Sequence, residues 1–149
     1  MSFKQDESDS LWELTQRLKA SDKLTYVNDC FKPELDSRWT HKSDRVLSEF
    51  HLIDMGQGYL ESELPVAVRR ESKRRGEILR LAAVRELMLY IGHGWNGVDW
   101  VVAFGSTLTS PAGSLYSPCI WGDGENRKLS LGRTSDPWTG WNLVLCVIV

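Results

Sequence analysis

The sequence predicts an α+β fold in which about four or five N-terminal helices pack on a C-terminal four-stranded antiparallel β-meander. Three observations predict it. Apolar residues recur at helical spacing up to residue 91, the period changes to 2 beyond Gly92-His93-Gly94, and five of the seven tryptophans lie after that change. The 149 residues are read as one domain, helical over 1–91 and tryptophan-rich β-structure over 92–149. At this length folding buries about 68–70% of the surface an unfolded chain exposes, enough for a core without disulfides or metals.

Ser10 and Glu13 match a capping box, and Leu11, Leu14 and Leu18 with Trp12 beside them place a first helix at 10–20. Asp22 is positioned to cap a short second helix with the stripe Leu24, Val27 and Phe31, which Pro33 interrupts. From Pro33 the helical period continues through Leu35, Trp39, Val46, Leu47, Phe50 and Ile53, as one broken helix or two, up to a stop at Gly56. After the turn Gly56-Gln57-Gly58, the longest helix opens near Ser62 with Pro65 in its first turn and runs to Ile91. Its first half, Val66 to Glu77, is polar and projects to the surface; its second, Ile78 to Ile91, is apolar nearly all round and reads as the buried central helix. Gly76 between the halves marks a kink or a boundary, since glycine costs about 1 kcal/mol against alanine in a helix.

Val98, Trp100, Val102 and Phe104 then alternate with Asp99, Val101 and Ala103, which predicts a strand with one apolar face and Trp100 in the core. Ser110-Pro111-Ala112-Gly113 is a turn into a returning strand, Leu115 to Trp121. Gly122 to Asn126 turns again into Lys128–Gly132, and a loop through Asp136-Pro137 leads to the last strand, Trp141 to Val149. That strand carries no charge and belongs at the centre of a sheet, under the apolar helix.

Cys30, Cys119 and Cys146 are odd in number and widely spaced, as in a reducing compartment. The start MSFKQDESDS lacks the basic and apolar stretches of a signal peptide, and the longest apolar run, Leu143 to Val149, is far below the ~20 residues of a membrane-spanning helix. A soluble cytoplasmic protein with no membrane contact is expected.

No pattern of residues points to chemistry. Gly92 to Gly97 matches GxGxxG, but it follows a helix and precedes a strand, so no helix N-terminus faces a phosphate. Asp123 and Glu125, near Asp99 and Asp136, sit in hairpin-turn sequence that places carboxylates in water. His41, His51 and His93 have no metal spacing, and Cys119 with His93 is the one imaginable nucleophile and base. Cys146 reads as core. Neither a catalytic role nor a metal or cofactor is assigned.

Two features are left. Residues 64–91 carry seven basic and three acidic residues, concentrated as Arg69, Arg70, Lys73, Arg74 and Arg75, in a chain whose formal net charge is −2. Trp95 and Trp138 fall in predicted loops, where large aromatics and arginines anchor interfaces. These seven residues are the candidate surface for a protein partner, and the expected function is binding, as in small inhibitors or toxin-neutralising proteins. A nucleic-acid module using the basic helix over 66–85, and an enzyme with an unrecognised site, are the alternatives.

Overall fold

The computed structural model describes residues 9–40, 46–56 and 58–149, which leaves His41 outside the description. Helix α1, Leu11–Ala20, forms as expected: Ser10 Oγ accepts the Glu13 N–H at 3.1 Å, and Leu11, Leu14 and Leu18 are buried.

The next two predicted helices are not formed. Asp22 lies at φ 60°, in the turn that ends α1, so it opens no helix. Tyr26–Val27 is strand β1, followed by a 3-10 turn at Asp29–Phe31. Pro33–Arg38 is a second 3-10 segment, Trp39–Thr40 is β2, and Phe50–Asp54 is β3. Leu24, Val27 and Phe31 are buried as their stripe implies, but from extended and 3-10 backbone.

The predicted long helix is two helices with a strand between them. A 3-10 turn at Glu61–Glu63 leads into α2, Leu64–Arg75. Gly76 ends it at φ 68°, where Gly76 N–H reaches Lys73 O and Glu77 N–H reaches Ser72 O, a Schellman closure that a residue with Cβ adopts only at a cost. Leu79–Leu81 is β4 and Val84–His93 is α3.

The second half supplies β5 (Val101–Val102), β6 (Thr107–Thr109), β7 (Leu115–Gly122), β8 (Arg127–Arg133) and β9 (Leu143–Ile148). The β7–β8 hairpin runs in register from Tyr116 opposite Arg133 to Gly122 opposite Arg127, as the turn at 122–126 implies.

Among the described residues all nine strands join one mixed sheet with the main order β1-β8-β7-β5-β9-β3. The α+β class stands, but helices confined to the N-terminus and a four-stranded antiparallel meander do not. Four strands precede residue 91, and the pairings β1–β8 and β5–β9 are parallel. Strand β9 explains the difference. It is uncharged and lies in the middle of the sheet, with β3 along one edge, from Phe50 opposite Val147 to Asp54 opposite Leu143. Its other edge is shared, β5 meeting Leu143 and Val144 and β4 meeting Cys146 to Ile148. Satisfying both edges draws in Phe50–Asp54 and Leu79–Leu81, and this tertiary demand outweighs the weak helical preference of those short segments.

Helices cover both faces. Leu14 and Leu18 of α1 and Leu87, Met88 and Ile91 of α3 pack with Val101, Ala103, Ile120, Leu145 and Val147. Residues of opposite parity, Val102, Phe104, Cys119 and Val144, pack with Leu64 of α2, Tyr59 and Trp138. A strand covered on both faces is apolar at consecutive positions, as Val101, Val102 and Ala103 are, so the expected one-sided alternation fails there. No helix among the described residues is long and apolar enough to cross a membrane.

Candidate functional site

Helix α2 places its apolar residues inward and its cations outward. Leu64 and Ala67 are buried, and Val68 packs beside Ile53, Leu79 and Cys146. Ser72 Oγ donates to Val68 O at 2.7 Å and accepts the Leu79 N–H at 3.2 Å, fastening the end of the helix to β4. Glu71 is half-buried against His51 of β3, and Arg69, Arg70, Lys73, Arg74 and Arg75 are all exposed.

Two of the five cations are paired within the chain. Arg74 makes two hydrogen bonds to Glu71, at 2.5 and 3.2 Å, and His51 Nε2 meets the same carboxylate at 2.9 Å. Arg74's bond, aided by His51 and opposed by partial desolvation, lowers the Glu71 carboxyl to about 2. Arg75 reaches Glu77 at 3.3 Å. Arg69, Arg70 and Lys73 have no ion pair among the described residues.

Apolar groups border these three. Val66 is 56% exposed and Ile78, just past Gly76, is 70% exposed. An open groove of about 490 Å³ runs between the last turns of α2 and the start of β4, lined by Val68, Arg69, Ser72, Lys73, Ile78 and Leu79. Exposed apolar surface rimmed by cations is the composition of an interaction face.

Trp95 and Trp138 lie in loops as expected, but their rings are turned into the core. Trp95 is 6% exposed and its Nε1 donates to Asp99 O at 2.8 Å. Trp138 is 4% exposed, edge-on to Phe104 at 5.0 Å, and its backbone is bonded to Gly58 and Tyr59. Neither ring adjoins α2's outer face. Trp100, expected in the core, is instead 37% exposed and packs against Trp121 and Trp141 with centroids 5.4 and 5.0 Å away. Its position was hidden because regular strand begins only at Val101, so the 98–104 alternation does not carry one continuous face.

The other candidates stand apart. Asp123 caps the β7–β8 turn, its Oδ1 accepting the N–H groups of Glu125 and Asn126 at 3.0 and 2.7 Å. Cys119 and Cys146 are fully buried, and burial pushes both thiols up to about 12. His93 is exposed at the end of α3. Gly92 to Gly97 close α3 and turn toward β5, with Gly97 at φ 79°. Among the described residues no group of His, Cys, Asp or Glu could hold a metal ion.

The fold and this surface define the chain as an α+β protein whose mixed sheet is covered by helices on both faces, with a cationic helix on one of them. Comparison with protein-family models, curated proteins and solved structures finds no match to any of them.

Proposed function

We propose that this chain is an intracellular binding protein that acts by docking an acidic protein partner on the outer face of α2, in the manner of an inhibitor or a toxin-neutralising protein. The observation that carries the reading is the set of three exposed cations, Arg69, Arg70 and Lys73, which have no ion pair among the described residues and lie beside exposed Val66 and Ile78. Lone surface charges contribute little to folding, so a row of cations with no ion pair among the described residues is available to a partner at small cost to stability. Exposed aliphatic groups supply what charge alone does not, an area to be desolvated on binding. The burial of Trp95 and Trp138 narrows the surface first expected: the arginines and lysine act there, and these two indoles support the scaffold behind it.

Affinity capture from the native host tests the reading, comparing the native chain with a variant carrying Arg69→Glu, Arg70→Glu and Lys73→Glu. A protein held by the first and lost by the second supports it. Capture of nucleic acid, with retention on a polyanion falling steeply as salt rises, replaces it with phosphate recognition. Identical capture by both chains contradicts it.

A further inference from the structure

Trp100 borders a second concave site, remote in sequence from α2. Asp54 at the end of β3, Val98 and Asp99 before β5, and Gly140 and Asn142 before β9 line an open cleft of about 520 Å³ with it. Hydrogen bonds hold the walls in place. Asn96 Oδ1 accepts the N–H groups of Val98 and Asp99, each at 2.9 Å, while Trp95 Nε1 clamps the Asp99 carbonyl. On the other wall, Asp54 Oδ1 accepts from Asn142 Nδ2 at 3.0 Å and from the Gly56 N–H at 2.9 Å. Gly140, at φ 91°, lies against the indole so closely that a Cβ there would meet it at 2.9 Å. With Trp121 and Trp141 beside it, the Trp100 ring is held at the surface by its surroundings.

The charge of the cleft indicates what it takes. Asp54 and Asp99 form no ion pair among the described residues, and no lysine or arginine lines the cleft. The neighbouring ring already accepts a cation from the chain itself: Lys128 Nζ stands 4.4 Å from the Trp121 centroid. Trp100 offers the same electron-rich surface with two carboxylates in place of a lysine.

We infer that this cleft binds an organic cation, an ammonium or guanidinium group set over the Trp100 ring with Asp54 and Asp99 as its counter-ions. The ring attracts the cation through its quadrupole, and the carboxylates add charge that salt screens. A neutral sugar could stack on the indole, but it brings no positive charge to the two carboxylates. The cation is either a free quaternary ammonium compound or a lysine or arginine of a peptide, and the two share this chemistry.

NMR titration of the indole N–H signals tests the inference with four probes: choline, its uncharged tert-butyl isostere, a blocked arginine tripeptide and a neutral oligosaccharide. Choline or the tripeptide is expected to shift the Trp100 signal, with the tighter of the two naming the source. Asp54→Asn at an exposed position and Asp99→Asn at a half-buried one, both conservative changes, should each weaken that binding by roughly fivefold while leaving the other indole signals in place. Trp100→Leu should abolish it. The inference is overturned if the isostere or the oligosaccharide binds as well as the charged probes, if no probe binds, or if both carboxamide variants bind like the native chain.

Discussion

Arg80 of β4 and Glu86 of α3 form a two-pronged ion pair, with hydrogen bonds of 2.6 and 2.7 Å, around a carboxylate that is fully buried. The same carboxylate accepts the N–H groups of Leu47 at 2.8 Å and Ala83 at 2.9 Å. One side chain thus joins the segment before β3, the end of β4 and the start of α3. Glu86→Ala leaves those donors without their acceptor and is expected to cost about 3–5 kcal/mol. Arg80→Met leaves the fully buried Glu86 carboxylate without its counter-charge and should cost a similar amount, about 3–5 kcal/mol. Urea denaturation of the two variants checks both values.

Trp138 is predicted to be a folding residue. Its ring lies against Gly132 of β8, where a Cβ would approach it to 2.2 Å. Gly132→Ala should therefore destabilise the protein by about 1–3 kcal/mol through overpacking, and Trp138→Ala by about 3–5 kcal/mol through the cavity left. Thermal unfolding measures both, and a stable Trp138→Ala variant would return the ring to the list of surface anchors.

The three cysteines should be inert until the chain unfolds. Cys30, Cys119 and Cys146 are free and buried, and burial raises all three thiols far above the ordinary range, so no thiolate is present near neutral pH. A colorimetric thiol reagent should find none in the native protein and all three in denaturant. Fast labelling of one of them under native conditions would contradict the packing around it.

Glu71 ties α2 to β3 through His51, and its contribution has a definite pH dependence. Its carboxyl is lowered from 4.5 to about 2, so the stabilisation is present above pH 4.5 and is lost as pH falls toward about 2. Glu71→Gln should therefore lower the denaturation midpoint near neutral pH, and the difference from the native chain should shrink through that acid window. A difference unchanged across it would place the effect elsewhere.

The two-part fold is legible only where one local signal is unopposed. Ser10, Glu13 and the three leucines specify α1, and the Gly122–Asn126 turn specifies the β7–β8 hairpin. The lack of charge in β9 places it centrally without any knowledge of its neighbours. Its neighbours are not legible. Phe50 and Ile53 are three residues apart and fit a helix, while Ile78-Leu79-Arg80-Leu81 fits either period, and only pairing with β9 decides them. Gly76 is the one local sign of the break between α2 and β4. For the surface, Arg69 to Arg75 are legible as exposed because five positive charges in seven residues cannot share a core. The burial of Trp95 and Trp138 and the exposure of Trp100 are not, because each depends on loops from distant parts of the chain meeting at the sheet.

The outer face of α2 as the docking surface is tested most directly by site-specific photo-cross-linking. A photoreactive residue replaces exposed Val66 in one chain and exposed Leu115, the first residue of β7, in another. Cross-linking in cells of the native host is predicted to trap a protein from position 66, and to lose it when Arg69, Arg70 and Lys73 are changed to glutamate. A partner trapped from position 115 alone, or one trapped from position 66 regardless of those three charges, would contradict the account.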